Sequence, residues 1–217
     1  MKGSQIAVGA LALLCSVAGF AEPDVYASRA EALKGLSAPA AQRRADAVIW
    51  IANNGAPADE AVLREQLTDD NPVVRRLAEQ GVWLLWGHSG DDKIDALMAQ
   101  GAELMEMGQL DEAIEVFSEV IKRKPSFAEG WNKRATALFL AGELKRSLAD
   151  CDEVLRRNRY HFGALAGYGQ IYFHLEQYEK AISYWKRALQ ANPNLEGIEE
   201  NIEIAQKMIE VRRRNMV

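Results

Sequence analysis

The sequence predicts an all-α fold, an α-solenoid of helix-turn-helix repeats. Two observations carry that prediction. The same residue classes return every 34 positions over three consecutive segments. Elsewhere apolar residues recur three and four apart, the helical period, and no segment shows the alternation of a strand.

The first residues are of a different material. Lys2 precedes an uncharged apolar run, Ile6 to Val17, followed by Ala18-Gly19-Phe20-Ala21 and the polar Glu22-Pro23-Asp24. A basic start, a short apolar stretch and small residues before a polar turn describe a secretory signal peptide over residues 1–21, cut after Ala21. The run is shorter than the about 20 residues needed to span a bilayer, so no stable membrane insertion is expected once the signal is cleaved. Leu14 before Cys15 is too bulky for a lipid-attachment signal. The expected location is the periplasm. Loss of Lys2 takes the net charge from −5 to −5 − 1 = −6 and leaves Cys151 as the sole cysteine, so no internal disulfide is available. With no activating base nearby, Cys151 reads as a small buried hydrophobe.

Residues 26–88 read as four helical segments, 26–36, 40–54, 58–68 and 72–86, cut at Gly35, Pro39, Gly55-Ala56-Pro57 and Asn71-Pro72. Val48, Ile51 and Ala52, then Val62, Leu63 and Leu67, then Val74, Leu77, Val82 and Leu85 hold helical spacing. The stretch Leu67 to Ala78, with Asp69-Asp70-Asn71-Pro72 before Val74-Arg75, resembles the turn and second helix of a HEAT repeat. Arg43-Arg44-Ala45 echoes Arg75-Arg76-Leu77 at an offset of 32, which suggests two such hairpins, or else an undefined four-helix segment. Ser89-Gly90-Asp91-Asp92 is the junction between these segments and the 34-residue repeats, and the helix pairs are expected to stack into one continuous solenoid.

Over residues 92–193 the columns of the 34-residue period are explicit. Gly101, Ala135 and Gly169 form a small column; Ala113, Ser147 and Ala181 form another. Leu97, Trp131 and Leu165; Leu104, Leu138 and Tyr172; Phe117, Cys151 and Trp185; and Val120, Val154 and Ala188 are mainly apolar and larger. Small residues are required where two helices approach closely, and the larger ones fill the space between neighbours. Gly108-Gln109-Leu110-Asp111 and Gly142-Glu143-Leu144-Lys145 separate two helices of about 14 residues in each unit, and Pro125 and Pro193 end units one and three. Ser126 and Glu129 have the spacing of a capping box.

These columns resemble the tetratricopeptide repeat. The units are about 94–127, 128–161 and 162–195. Unit two departs most, with Ala135, Ser147 and Arg159 where the repeat usually has Gly, Ala and Pro. Residues 196–214 continue as a helix with Ile198, Ile202, Ala205 and Ile209 on one face and Arg212-Arg213-Arg214 at its end, a capping helix for the open end of the array.

Composition excludes some functions. With 48% hydrophobic and 26% charged residues the chain is an ordinary folded protein, and a net charge of −5 argues against a nucleic-acid partner. His88, His161 and His174 lie far apart without metal-ligand spacing, and no phosphate loop or nucleophile–base set can be assembled. No catalytic residue, metal or cofactor is therefore expected. Asp150 and Asp152 flank the core position Cys151 and should face solvent, and Tyr160-His161-Phe162 should wedge the helices at a unit boundary.

The resemblance implies that the first helix of each unit lines a concave groove. Its inward residues are Met98, Ala102 and Met105; Asn132, Thr136 and Phe139; and Ala166, Gln170 and Phe173. Met105, Phe139 and Phe173 would make an apolar column, with Asn132, Thr136 and Gln170 able to bond a peptide backbone. Family members that clamp a C-terminal carboxylate place Lys and Asn where this chain has Met98 and Ala102, so that specialisation is not expected. The expectation is a non-enzymatic protein–protein interaction module or assembly adaptor of the bacterial cell envelope, binding a protein or peptide segment in the groove. The alternative is an accessory subunit of an envelope enzyme or complex, with a site in 26–88.

Overall fold

The computed structural model describes residues 26–215, so the signal peptide expected over residues 1–21 lies outside the described residues. Eleven α-helices account for most of the described chain, with no strand among the described residues. They are α1 (Arg29–Gly35), α2 (Ala41–Asn54), α3 (Glu60–Glu65, flanked by short 3-10 turns), α4 (Pro72–Gly87), α5 (Asp92–Glu106), α6 (Leu110–Arg123), α7 (Ala128–Leu140), α8 (Leu144–Arg157), α9 (Phe162–His174), α10 (Tyr178–Ala191) and α11 (Ile198–Asn215). From α5 onward each helix packs on the next, a succession of hairpins that makes an α-solenoid.

The turns follow from single residues. At the end of α5 and α7, Gly108 (φ 74°) and Gly142 (φ 78°) take the left-handed conformation that lets the chain reverse. The equivalent residue of unit three is Glu176, at φ 55°, and Arg212 of α11 donates to its backbone carbonyl. Asn71 and Asp91 cap α4 and α5 by accepting backbone N–H bonds, while Pro72 starts α4, where a missing N–H is harmless. Ser126 and Glu129 do not form the expected capping box: the N-cap residue of α7 is Phe127, with no side-chain cap, and the Glu129 carboxylate turns inward to buried partners.

Inside each repeat the small column meets the large one. A Cβ on Gly101 would lie 2.5 Å from the Phe117 ring, and one on Gly169 would lie 2.3 Å from the Trp185 ring. In unit two Ala135 packs with Cys151, and Ser147 Oγ donates to the Ala135 carbonyl at 2.7 Å. The extra methyl at Ala135 is thus matched by a smaller partner, which explains how unit two departs from its neighbours and still folds. Burial raises the Cys151 thiol pKa to about 12, aided by the Asp150 and Asp152 charges, and the residue is 2% exposed, a small core side chain.

The N-terminal helices form their own core of Val48, Ile51, Leu63, Val74, Ala78 and Val82. Arg44 Nη1 donates to the carbonyls of Ala38 and Pro39, and Arg75 Nη1 does the same to Asp69 and Asp70. In each case the acceptors lie six and five residues upstream, so the internal echo has an offset of 31, not 32. Each arginine also reaches outward: Arg44 pairs with Asp69, at 2.6 and 2.8 Å, and Arg75 Nε donates to Asn194 Oδ1 at 3.0 Å.

That last bond shows how the two parts meet. They do not stack end-on as one continuous solenoid: α5 packs on α6 and α7, while α4 lies across the turns that join the repeats. Trp83 and Trp86 of α4 press on His161 and Phe162, Arg64 lies over the Tyr160 ring, and Asn194 Nδ2 donates to the Leu67 carbonyl. The expected wedge at Tyr160-His161-Phe162 is present, but it wedges α4 against the repeats. Gly163 permits this contact, since a Cβ there would sit 2.4 Å from the Trp83 ring.

Candidate functional site: a pocket between the second and third repeats

The α7 and α9 helices stand side by side with α8 behind them, and between them lies an open pocket of about 120 Å³. Asn132, Thr136 and Phe139 of α7 form one wall; Gly163, Ala164, Gly167 and Gln170 of α9 form the other; Ser147 and Cys151 of α8 lie at the back. The origin of the space is legible in the columns. Where units one and three place Phe117 and Trp185, unit two has Cys151, and where α9 faces the gap it carries glycine and alanine. The lining residues carry no charge.

The structure brings four of the nine predicted groove residues together here: Asn132, Thr136, Phe139 and Gln170. The other five, Met98, Ala102, Met105, Ala166 and Phe173, do not line it. Met98 is buried in the core of unit one with Met105 packed against it, and Phe173 packs edge-on to Tyr178 and against Trp185. Met105 and Phe173 therefore do not join Phe139 in an apolar column: they pack in cores away from the pocket, while Phe139 lines it. Phe139 rests against the His174 ring with centroids 5.1 Å apart.

Behind the pocket wall is a buried polar network that spacing alone did not reveal. Asn132 Nδ2 donates to both carboxylate oxygens of Glu129, at 3.2 and 3.1 Å. His161 Nδ1 accepts from the Ala164 backbone N–H at 3.1 Å, so its proton sits on Nε2, which donates to Glu129 Oε2 at 3.0 Å. One signal points to it: His161 stands in the column occupied by Phe127 and Leu195.

Asp150 also differs from expectation. It is 4% exposed, and Arg134 donates to it through Nε and Nη2 at 2.7 and 2.8 Å while Nη1 reaches Ser118 at 3.0 Å. A planar guanidinium matches a carboxylate in two bonds, which draws Asp150 inward between units one and two. Asp152 is exposed and accepts from the Tyr168 hydroxyl.

Comparison with known proteins identifies the array. The tetratricopeptide repeat family matches residues 98–161 and again residues 162–195. Residues 98–195 carry tetratricopeptide repeats. A TPR repeat-containing protein of Rhizobium etli is 32% identical over 126 residues, 58% of this chain and 62% of that protein. Hsp70-Hsp90 organizing protein 1 of Glycine max is 26% identical over 50% of this chain and 20% of its own length. The chain thus spans less than two thirds of the curated relatives it matches. Among solved structures, the first TPR of Spaghetti (RPAP3), bound to an HSP90 peptide, superposes with a TM-score of 0.53 at 23% identity, over 55% of this chain and 94% of that one.

Proposed function

We propose that this chain is a non-enzymatic protein-interaction module whose TPR pocket between α7 and α9 takes an apolar side chain from an extended partner segment. One observation carries the reading: the large-residue column is interrupted at Cys151, and the vacated space opens on the face formed by first helices. A cavity of about 150 Å³ lined by apolar groups holds a benzene molecule, so one of 120 Å³ suits a branched aliphatic side chain. Burying such a side chain contributes about 1.5–3 kcal/mol. Thr136 and Gln170 at the rim offer groups that bond the backbone of the same segment.

The relatives support binding of a peptide, since Spaghetti is seen with an HSP90 peptide. The chemistry here differs from a carboxylate clamp: the pocket has no cationic lining residue to meet an acidic terminus. Selection from a random peptide library on the immobilised protein tests this. The reading expects enriched sequences with one aliphatic anchor and no requirement for a free C-terminal carboxylate. Enrichment of acidic C-termini instead would contradict it.

The composition of residues 1–21 supports export and a periplasmic location, where the module would serve as an adaptor in an envelope assembly. N-terminal sequencing of the native protein tests export, with a start at or near Glu22 expected and an intact Met1 opposing it. The recurring Arg44 and Arg75 contacts support a HEAT-type origin for residues 26–88.

A further inference from the structure

The capping helix α11 carries two apolar stripes, and among the described residues only one of them is packed. Ile198, Ile202, Ala205 and Ile209 pack against α10 and its neighbours. About a third of a turn away, Ile204, Met208 and Val211 stand at i, i+4 and i+7, with 47%, 39% and 49% of their surface exposed. A stripe of three large apolar residues along one exposed face is more than scattered surface hydrophobes would give.

The charges of α11 say what fits there. Its first half holds Glu199, Glu200 and Glu203; its last turn holds Arg212, Arg213 and Arg214. The helix is therefore polar along its length, acidic at one end and basic at the other. A membrane-surface helix would instead carry cations along its whole polar face. A helix laid antiparallel on the stripe satisfies both ends; α6 has the same polarity but buries its large apolar residues, whereas α11 of a second copy brings both the polarity and an exposed stripe.

We infer that α11 is a self-association surface, pairing antiparallel with α11 of a second copy about a twofold axis near Lys207 and Met208. In that register Ile204 faces Val211 of the second copy, and Glu200 faces Arg214 of the second copy, each contact occurring twice as a twofold interface demands. The shape agrees. A notch of about 350 Å³ bounded by Tyr178, Met208, Val211 and Arg212 lies beside the stripe, where Ile204 of the second copy enters. Arg212, held by Glu176, forms its fixed wall.

Light scattering on the eluting full chain of 24.1 kDa tests the pairing. Twice the chain mass is expected at protein concentrations on the order of 100 µM, falling to the single-chain mass on dilution. Met208→Glu should give a single-chain mass throughout, with unchanged circular dichroism. Glu200→Arg should weaken the dimer by about tenfold or more, and adding Arg214→Glu in the same chain should restore it. The pocket variant Ala135→Gly with Cys151→Phe should leave the dimer intact, which separates this interface from the groove. A single-chain mass at all concentrations, a dimer indifferent to Met208→Glu, or a double charge swap that fails to restore pairing would each overturn the inference.

Discussion

The Trp86 indole lies stacked on the His161 imidazole, with ring centroids 4.2 Å apart and planes 16° from parallel. Because His161 Nε2 donates to Glu129, and Glu129 in turn accepts from Asn132, this stack joins the N-terminal helices to the wall of the TPR pocket through three side chains. The pocket is therefore supported by a part of the chain that contributes none of its lining. Trp86→Ala removes the contact and should cost about 3 kcal/mol or more. Denaturant unfolding should change from one transition to two as residues 26–88 separate from the repeats. A single transition with an unchanged midpoint would show that the stack carries no coupling.

Pairing of small and large columns makes a sharper prediction. Gly169→Ala places a methyl into the Trp185 ring and should destabilise by about 1–3 kcal/mol. In a Trp185→Cys background, which copies the Ala135 and Cys151 pairing of unit two, the same change should cost little. Thermal melts of the four proteins give the coupling, expected between about 0.5 and 3 kcal/mol. Additive effects would mean that the two columns do not compensate.

Asp150→Ala leaves the largely buried Arg134 guanidinium without its carboxylate, and should cost about 3–5 kcal/mol. Asp152→Ala, on an exposed neighbour, should cost distinctly less even though it frees the Tyr168 hydroxyl. Chemical denaturation of both variants decides; equal losses would argue that Asp150 is solvated after all.

Acid should weaken the N-terminal helices through Asp69. Hydrogen bonds and charge from Arg44 lower the Asp69 carboxyl from 3.8 to about 2. A carboxylate whose folded pKa is depressed contributes stability that is complete above its unfolded pKa and is lost as pH falls through the folded one. The Arg44–Asp69 pair should therefore weaken between about pH 4 and pH 2, and Asp69→Asn should flatten that part of the pH–stability curve. An unaltered curve would remove Asp69 from the account.

How much of the molecule was legible in the sequence depends on the range of the interaction. The 34-residue columns are local packing rules repeated, so the hairpins from α5 to α10 and the apolar stripe of α11 follow from the residues themselves. The docking of α4 does not: Trp83 and Trp86 meet His161 and Phe162 across about 75 residues of chain, and no period links them. Asp150 turned inward because its partner, Arg134, lies on another helix. Met98 and Phe173 occupy first helices as expected, yet side-chain direction sends them into unit cores. The pocket itself was written in the sequence as a cysteine in an aromatic column, a signal visible only by comparing units.

Titration of a library-selected peptide into the wild type and into Ala135→Gly with Cys151→Phe tests the central claim most directly. The double variant restores the glycine–aromatic pairing of units one and three, so it should fold normally while its ring fills the pocket. The account predicts a melting temperature near that of the wild type and affinity reduced by at least about tenfold, the loss of one buried anchor. A folded double variant that binds the peptide as tightly as the wild type would place the recognition surface elsewhere and contradict the account.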